Sequence, residues 1–273
     1  MSKIGIVILN NNDYQSIREY ITKIKKIRSL NEIVIVDNNS DSTYESLKKM
    51  EKGNVSVLKS VTDKGYAYGI NIGIKYLKDK VDYIIVTNPN IDLVDSVIRE
   101  LKKDMDKDSD ISLISPIIKN GEELIKGYKM PKVFDEIKLS LSKKNILLYE
   151  DKKYNGELTR VDLVSRDFFM IRRDILNMVG NLDDSTYLYY EEKTLGMKLK
   201  NINKKSYVSE KVKLTYNTPV ITDRINDYKL LKNSQVYFVK YYLHANIFQM
   251  VILRIVNCFK LLCFYIKKIF KKK

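Results

Sequence analysis

Cysteine is nearly missing. Only Cys258 and Cys263 occur in 273 residues, which excludes a disulfide framework and a cysteine-rich zinc site. The single histidine, His244, excludes a His-based metal cluster and an ordinary Ser-His-Asp triad. Ten glycines and four prolines exclude fibrous and low-complexity classes. An apolar fraction of 44% excludes wholesale disorder. No uninterrupted apolar run approaches the ~20 residues of a membrane span, so a spanning helix is not expected. The first apolar run, residues 4–9, is too short for a secretory core and meets Asn10-Asn11-Asn12-Asp13 at once, which predicts a chain that stays in the cytoplasm. The length suits one large domain or two small ones with a real core.

Positive charge is abundant and uneven. The net formal charge is +15. Residues 226–273 hold ten Lys or Arg against the single acid Asp227. Wound as a helix at about 100° per residue, residues 246–271 put Arg254, Lys260, Lys267, Lys268 and Lys271 on one stripe, while Val251, Ile255, Phe259, Leu262 and Ile266 fall elsewhere. Two readings fit this pattern. One is a helix packed on a core with a solvated basic face. The other, which the chain's terminal lysines favour, is a helix lying on an anionic membrane surface. Nucleic acid is not the expected partner, because the basic residues alternate with aliphatics rather than with base-stacking aromatics.

The first 115 residues alternate between buried strands and amphipathic helices. Residues 4–9 (IGIVIL), 33–36 (IVIV), 55–58 and 83–86 (YIIV) read as strands. Ile17, Ile21, Ile24 and Ile27 recur at helical spacing. Ser42 and Glu45 form a capping-box pattern opening a helix toward Lys52. Residues 67–77 read as a helix, Asp92 or Asp95 caps another reaching Lys107, and a further strand runs over 111–114 and stops at Pro116. Strands apolar on both faces, alternating with helices, predict a mostly parallel sheet covered on both sides. Ligands then gather at the carboxyl ends of the strands. The polar groups there are residues 10–13, 37–41, 63–65 and 88–92, which should line one crevice. Beyond Pro116 the pattern weakens. A strand pair is expected near 158–164 and 168–172, and an aromatic run over 187–190 leads into a helix.

Each polar cluster has an ordinary reading and a chemical one. Asp37-Asn38-Asn39-Ser40 can bind a base, ribose or phosphate, or simply turn the chain from strand to helix. Gly65, Gly69 and Gly73 recur at spacings of four, allowing close backbone approach to a ligand or tight helix packing, with Lys64 as a point charge for phosphate. Asn88-Pro89-Asn90 ends the fourth strand, where a metal-diphosphate ligand would sit, yet amides are poorer ligands for hard cations than carboxylates. The adjacent acids Glu191 and Glu192 cannot face the same way, so one can serve as a general base while the other braces a neighbour. Alternatively, both decorate a helix N-terminus.

The order of these motifs is more specific than any one of them. Leu9-Asn10-Asn11-Asn12, Val36-Asp37-Asn38-Asn39-Ser40-Asp41, the run over 63–73, Asn88-Pro89-Asn90, Val164-Ser165 through Arg172-Arg173, Gly180-Asn181-Leu182-Asp183 and Leu188-Tyr189-Tyr190-Glu191-Glu192 follow one another. This series resembles the family 2 glycosyltransferases, in particular the rhamnosyltransferase-like branch of bacterial surface-polysaccharide synthesis. The resemblance covers about residues 4–242.

The resemblance implies an α/β protein with the GT-A nucleotide-diphospho-sugar transferase fold, plus C-terminal amphipathic helices. Residues 1–115 would be the nucleotide-sugar half and 116–225 the acceptor half, while the charge pattern of 226–273 makes that stretch the expected basic membrane-associating tail. It implies an inverting transferase that moves a sugar from a UDP- or dTDP-sugar to a lipid-linked or polysaccharide acceptor in cell-surface glycan or capsule synthesis. The protein would be peripheral on the inner face of the cell membrane, as a homo- or hetero-oligomer or alone. Asn10, Asn12, Asp37, Asn39, Lys64, Gly65, Asn71 and Asn88 would hold the nucleotide sugar. Glu192 would be the catalytic acid of the pair, with Glu191 beside it, and Asn90 would stand in the metal position for Mg2+ or Mn2+.

Departures from the family pattern carry information too. Asn90 stands where the family has Asp, so the metal carboxylate is missing. Arg166 and Asp167 replace a small pair on the acceptor or diphosphate side. Thr194 replaces a second acid. Two outcomes follow. Either the enzyme uses Arg166 or Lys64 in place of a strongly held metal, or the chain is a catalytically silent subunit of an active transferase.

Overall fold

A computed structural model describes residues 2–40, 42–142, 158–217 and 223–270. Asp41 and the terminal lysines 271–273, which figure in the sequence reading, lie outside the described residues.

The apolar runs form the expected core strands. In chain order the elements are β1 (Ile4–Asn10), α1 (Tyr14–Ile24), β2 (Glu32–Asp37), α2 (Tyr44–Lys48), β3 (Val55–Lys59), α3 (Tyr66–Leu77), β4 (Tyr83–Thr87), α4 (Asp95–Lys107), β5 (Ile111–Asn120), β6 (Glu123–Ile125), α5 (Val133–Leu141), β7 (Leu158–Val161), β8 (Phe168–Arg172), α6 (Arg173–Val179), α7 (Glu191–Asn201), β9 (Lys205–Thr215), α8 (Arg224–Tyr241) and α9 (Ile247–Phe270). They build a nine-stranded sheet in the order β3-β2-β1-β4-β8-β5-β9-β7, with β6 paired to β5. The strands β3, β2, β1 and β4 are parallel neighbours. The strand β8 lies antiparallel between β4 and β5, and β9 is parallel to β5. Six strands therefore share one direction, and β6, β7 and β8 oppose it.

Both faces of the sheet are buried. Ile6, Ile8, Ile33, Ile35 and Ile85 pack with α1 and α4 on one side. On the other, Val7, Val34, Val36, Ile84 and Val86 pack with α3, whose Gly69 and Gly73 lie against Leu9 and Val7. Such two-sided burial is the physical cause of the uninterrupted apolar runs.

Four expectations are corrected. The capping box at Ser42 does not form. Helix α2 opens after Thr43, whose hydroxyl instead donates to Asp37 at 2.9 Å. Strand β5 runs on through Pro116, with a register shift between Pro116 and Ile117 that absorbs the missing N–H. The expected pair near 158–164 and 168–172 forms as strands over 158–161 and 168–172, but they do not pair with each other. The strand β7 pairs with β9, while β8 sits between β4 and β5. The C-terminal segment forms a 24-residue helix that is long and apolar enough to cross a membrane by length and composition, because its charges are spaced along it rather than placed in every turn.

That helix is also fastened to the body. Leu253 and Asn257 of α9 are buried, and Leu253 joins Ile137, Tyr190, Phe238 and Val239 in a third apolar cluster. Helix α9 thus packs against α5 and α8 rather than trailing from the body.

Candidate active site

The carboxyl ends of β1, β2, β3 and β4 point the same way, so their polar ends can meet. A cavity of about 250 Å³ there is lined by Asn10, Asn11 and Asp13 after β1, Asn38 after β2, Gly65 after β3, and Asn88 and Pro89 after β4. Each of the four polar clusters contributes to one crevice.

Asp63 organises the rim. Its carboxylate accepts from Asn38 Nδ2 at 2.6 Å, from the Gly65 N–H at 3.0 Å and from the Tyr187 hydroxyl at 2.6 Å. Tyr66 N–H donates to the Tyr187 carbonyl at 2.8 Å. Gly65 has φ +100°, and a Cβ there would stand 2.0 Å from that carbonyl. Only glycine fits between the loop and the segment that crosses it.

A second, larger cavity of about 390 Å³ lies beside the first. Ser165, Arg166, Asp167 and Glu192 line it, together with Tyr228, Gln235 and Lys260 from the C-terminal helices. Glu192 and Glu191 point differently, as two adjacent residues at a helix start must. Glu192 faces the cavity, and among the described residues nothing hydrogen-bonds its buried Oε2. The Glu191 carboxylate lies 3.2 Å from Arg166 Nη1.

The turn before α7 aims this pair. Tyr189 and Tyr190 have φ values of 76° and 74°, a region that bulky residues seldom adopt. Their side chains hold them there. Tyr189 donates to Asp227, Tyr190 donates to Glu136 Oε2 at 2.5 Å, and Ser234 donates to the Leu188 carbonyl at 2.6 Å. Arg166 stacks over the Tyr189 ring at 4.7 Å.

Electrostatics sharpen the picture. Burial pushes the Glu191 carboxyl above its ordinary range, and Arg166 offsets only part of that. Burial opposes the charge on Arg166, but Glu191 and Glu192 outweigh it, and the guanidinium is held charged more firmly than usual. Asp167 is likewise pushed up by burial, against the pull of Arg166. The Tyr216 hydroxyl is pushed up to about 12 by burial and by Asp167.

The structure sorts the sequence-derived residues into groups. Asn10, Gly65, Asn88 and Arg166 line the first cavity; Arg166, Asp167 and Glu192 line the second. Asp37 is fully buried, and its carboxylate accepts from Asn10, the Ser40 N–H and Thr43. It shapes the crevice through Asn10 and lines neither cavity. Asn71 spans to Leu182, exchanging bonds of 3.0 and 3.1 Å with its backbone. Asn12, Asn39 and Lys64 are exposed, and none of the three lines either cavity. Lys64 lies over the Tyr68 ring at 5.2 Å. Asn11 and Asn38 belong to the polar clusters expected to line the crevice, and they do; sequence reasoning did not single out Tyr66 and Tyr187 as ligand-facing. Gln235 and Tyr228 carry no local signal for their place in the larger cavity.

The donor set near Asn90 does not suit a hard divalent ion. Asn88 Oδ1 is taken up by Asn90, accepting at 3.0 Å from both its N–H and its Nδ2. The nearby Asp167 is beside Arg166. Among the described residues no group of three or more His, Cys, Asp or Glu side chains could hold a metal.

Comparisons with known proteins identify the family and the fold. A sequence profile described as "Glycosyl transferase family 2" matches residues 4–180. The low-salt glycan biosynthesis hexosyltransferase Agl10 of Haloferax volcanii is 27% identical over 197 residues, which is 70% of this chain. The chain spans 60% of that relative's length. Among solved structures, GalNAc-T7 with UDP, GalNAc and Mn2+ superposes over 88% of this chain and 48% of its own, with a TM-score of 0.68 at 18% identity. The mannosyltransferase PcManGT of Pyrobaculum calidifontis, with GDP-Man and Mn2+, covers 95% of this chain and 72% of its own, with a TM-score of 0.62 at 11% identity. At these identities the likeness concerns the fold.

Proposed function

The chain belongs to glycosyl transferase family 2 and has the GT-A fold, and from that premise we propose that it is an active, inverting glycosyltransferase of cell-surface glycan synthesis. The observation that carries this reading is that Arg166 lines both cavities, with Glu192 in the larger one. A nucleotide diphosphate in the smaller cavity would place its departing charge beside a fixed cation. The acceptor in the larger cavity would have a carboxylate at hand.

The step balances simply. Glu192 takes the proton of an acceptor hydroxyl as that oxygen bonds to the anomeric carbon. The bond from that carbon to the diphosphate oxygen breaks with inversion, and the nucleoside diphosphate leaves with the electron pair. Arg166 offsets the growing negative charge, a role for a preorganised cation in a site shielded from water. Glu191 fixes Arg166 through Oε2, and Glu192, the acid that lines the acceptor cavity, serves as the base.

GalNAc-T7 and PcManGT hold Mn2+ in their solved structures. The amide-rich donor set at Asn88 and Asn90 supports a different arrangement here, in which Arg166 does the charge stabilisation and neither Mg2+ nor Mn2+ is required. Residues 1–115 supply most of the donor cavity, which Arg166, Tyr187 and Leu188 complete. The acceptor side draws on 116–225 and on the tail over 226–273. The exposed apolar row on α9, with its basic residues, supports attachment to an anionic membrane surface on the cytoplasmic side.

A thermal-shift screen of UDP-, dTDP- and GDP-sugars tests donor binding, since a ligand of the native state raises its stability. Donor hydrolysis and transfer are then measured with and without chelator. The proposal expects a shift for at least one donor and turnover that survives chelation. Donor binding with no turnover under any condition would favour the silent-subunit reading.

A further inference from the structure

The larger cavity contains a cation that the transfer step does not use. Three cationic side chains line it. Arg166 is paired with Glu191. Lys193 donates to the fully buried Glu136 at 2.7 Å. Lys260 sits over the Tyr228 ring at 5.3 Å, and among the described residues no carboxylate pairs with it. Burial alone acts on its ammonium, lowering its pKa from the ordinary lysine range. A partly desolvated, unpaired cation in a cavity is a site for an anion.

The surroundings restrict which anion. Lys260 belongs to α9, the helix whose outer row of Ile255, Phe259, Leu262 and Ile266 is exposed. Leu139 of α5 and Leu231 of α8 add apolar surface within the cavity. Glu192 lies in the same cavity. A ligand that satisfies all three features carries a negative group for Lys260, an apolar chain for Leu139 and Leu231 and for the exposed row of α9, and a hydroxyl within reach of Glu192.

We infer that Lys260 binds the phosphate of an isoprenoid-phosphate-linked acceptor, so that the larger cavity takes a lipid-borne glycan rather than a free polysaccharide chain. This rests on the transferase reading above. The shared chemistry is a phosphate ester. A soluble phosphate or a bilayer phospholipid could offer the same group, and the test separates them.

The full chain in detergent is titrated calorimetrically with farnesyl diphosphate, farnesol, inorganic diphosphate and short-chain phosphatidylglycerol. The expected result is at least tenfold tighter binding of farnesyl diphosphate than of any of the other three. Lys260→Gln should remove the preference over farnesol while leaving farnesol affinity unchanged, and Lys260→Arg should restore it. Equal binding of farnesyl diphosphate and farnesol by the wild type overturns the inference, as does a preference that survives Lys260→Gln in a variant with an unchanged melting temperature. Lys260-dependent binding of inorganic diphosphate or phosphatidylglycerol as tight as that of farnesyl diphosphate also overturns it. Donor thermal shifts are recorded on the same samples. Their absence in wild type and variant alike would sink the transferase reading separately.

Discussion

Arg166 and Glu191 are joined at 3.2 Å, Nη1 to Oε2, and the guanidinium held in this way is the one side chain shared by the linings of the two described cavities. The pair is buried enough to matter, since only 5% of the Glu191 side chain is exposed. Tyr66 and Tyr189 present their rings to the same guanidinium at 5.7 and 4.7 Å. The cation is therefore fixed on several sides before any ligand arrives, which is the condition for stabilising charge without reorganisation.

Removing that charge should slow transfer more than it weakens donor binding. For Arg166→Gln we expect kcat to fall roughly 100-fold or more, the scale seen when a preorganised stabilising donor is lost. Arg166→Lys should recover part of it, because a point charge replaces a planar fork. Steady-state kinetics decide the matter. A variant that loses donor affinity but keeps kcat would show that Arg166 binds the ground state instead.

The two acids should separate cleanly. Glu192→Gln removes a general base, and kcat should fall by ~10²–10⁴ while the donor thermal shift persists. Glu191→Gln strands Arg166, so its main cost should be stability, roughly 3 kcal/mol for breaking a buried pair from one side. Denaturant unfolding of both variants reads the second quantity. Equal destabilisation by the two substitutions would contradict the division of roles.

Two glycines with positive φ offer a controlled comparison. Gly53 has φ +65° and open space where a Cβ would go, whereas Gly65 would drive a Cβ into the Tyr187 carbonyl. Gly53→Ala should cost about 1 kcal/mol, the penalty for a left-handed alanine alone. Gly65→Ala must also break the Tyr66–Tyr187 backbone bond, and we expect it to cost more and to abolish the donor thermal shift. Similar melting temperatures for the two variants would argue against the close approach.

Much of this was legible in the sequence, and the rest was not, for physical reasons. Strands β1, β2, β3 and β4 are buried on both faces or nearly so, and they announce themselves as apolar runs. Strand β9 is half-covered and carries Lys205, Lys211 and Lys213, so no run marks it. The adjacency of Glu191 and Glu192 by itself signals two different tasks. The place of Asp37 did not show, because its partner is Thr43, the neighbour of Ser42, which looked like the helix cap. Glu136 gave no sign of burial, since its partner Lys193 lies 57 residues away in the chain. Lys260 was visible only as one more cation on a basic stripe.

Acid should loosen the grip of α8 on the body. Burial works against the Asp183 charge, but hydrogen bonds from Tyr242, Ser185 and Tyr237 outweigh it, and the carboxyl titrates below its ordinary range. The unfolded chain then binds this proton more readily than the native one. The stabilisation is complete above the unfolded value of about 3.9 and is lost as pH falls through the folded value. Asp183→Asn should lower the melting temperature at neutral pH and flatten its decline below about pH 4. Other carboxylates titrate in the same window, so the difference between wild type and variant is the measurement. Parallel curves would remove Asp183 from the account.

The two faces of α9 predict opposite phenotypes. Asn257 is buried, donating to Gln235 Oε1 at 2.9 Å and accepting from the Tyr228 hydroxyl at 2.7 Å. Asn257→Leu removes both bonds, at about 1 kcal/mol each, while the Ser140 hydroxyl still donates to Gln235 Oε1 at 3.1 Å. Gln235 Nε2 in turn donates to Glu136, which holds Tyr190 and Lys193 at the start of α7. The loss should therefore reach the helix that carries Glu192, and kcat should fall with the melting temperature. Ile255 and Phe259 are 63% and 61% exposed on the other face. Replacing both with Ser should leave stability within about 0.5 kcal/mol, while weakening flotation with phosphatidylglycerol vesicles, because apolar contact with the bilayer drives such binding. If the Ser variant floats like wild type, α9 does not meet the membrane through this row. If Asn257→Leu melts lower but turns over normally, the tail stabilises the fold without positioning the catalytic helix.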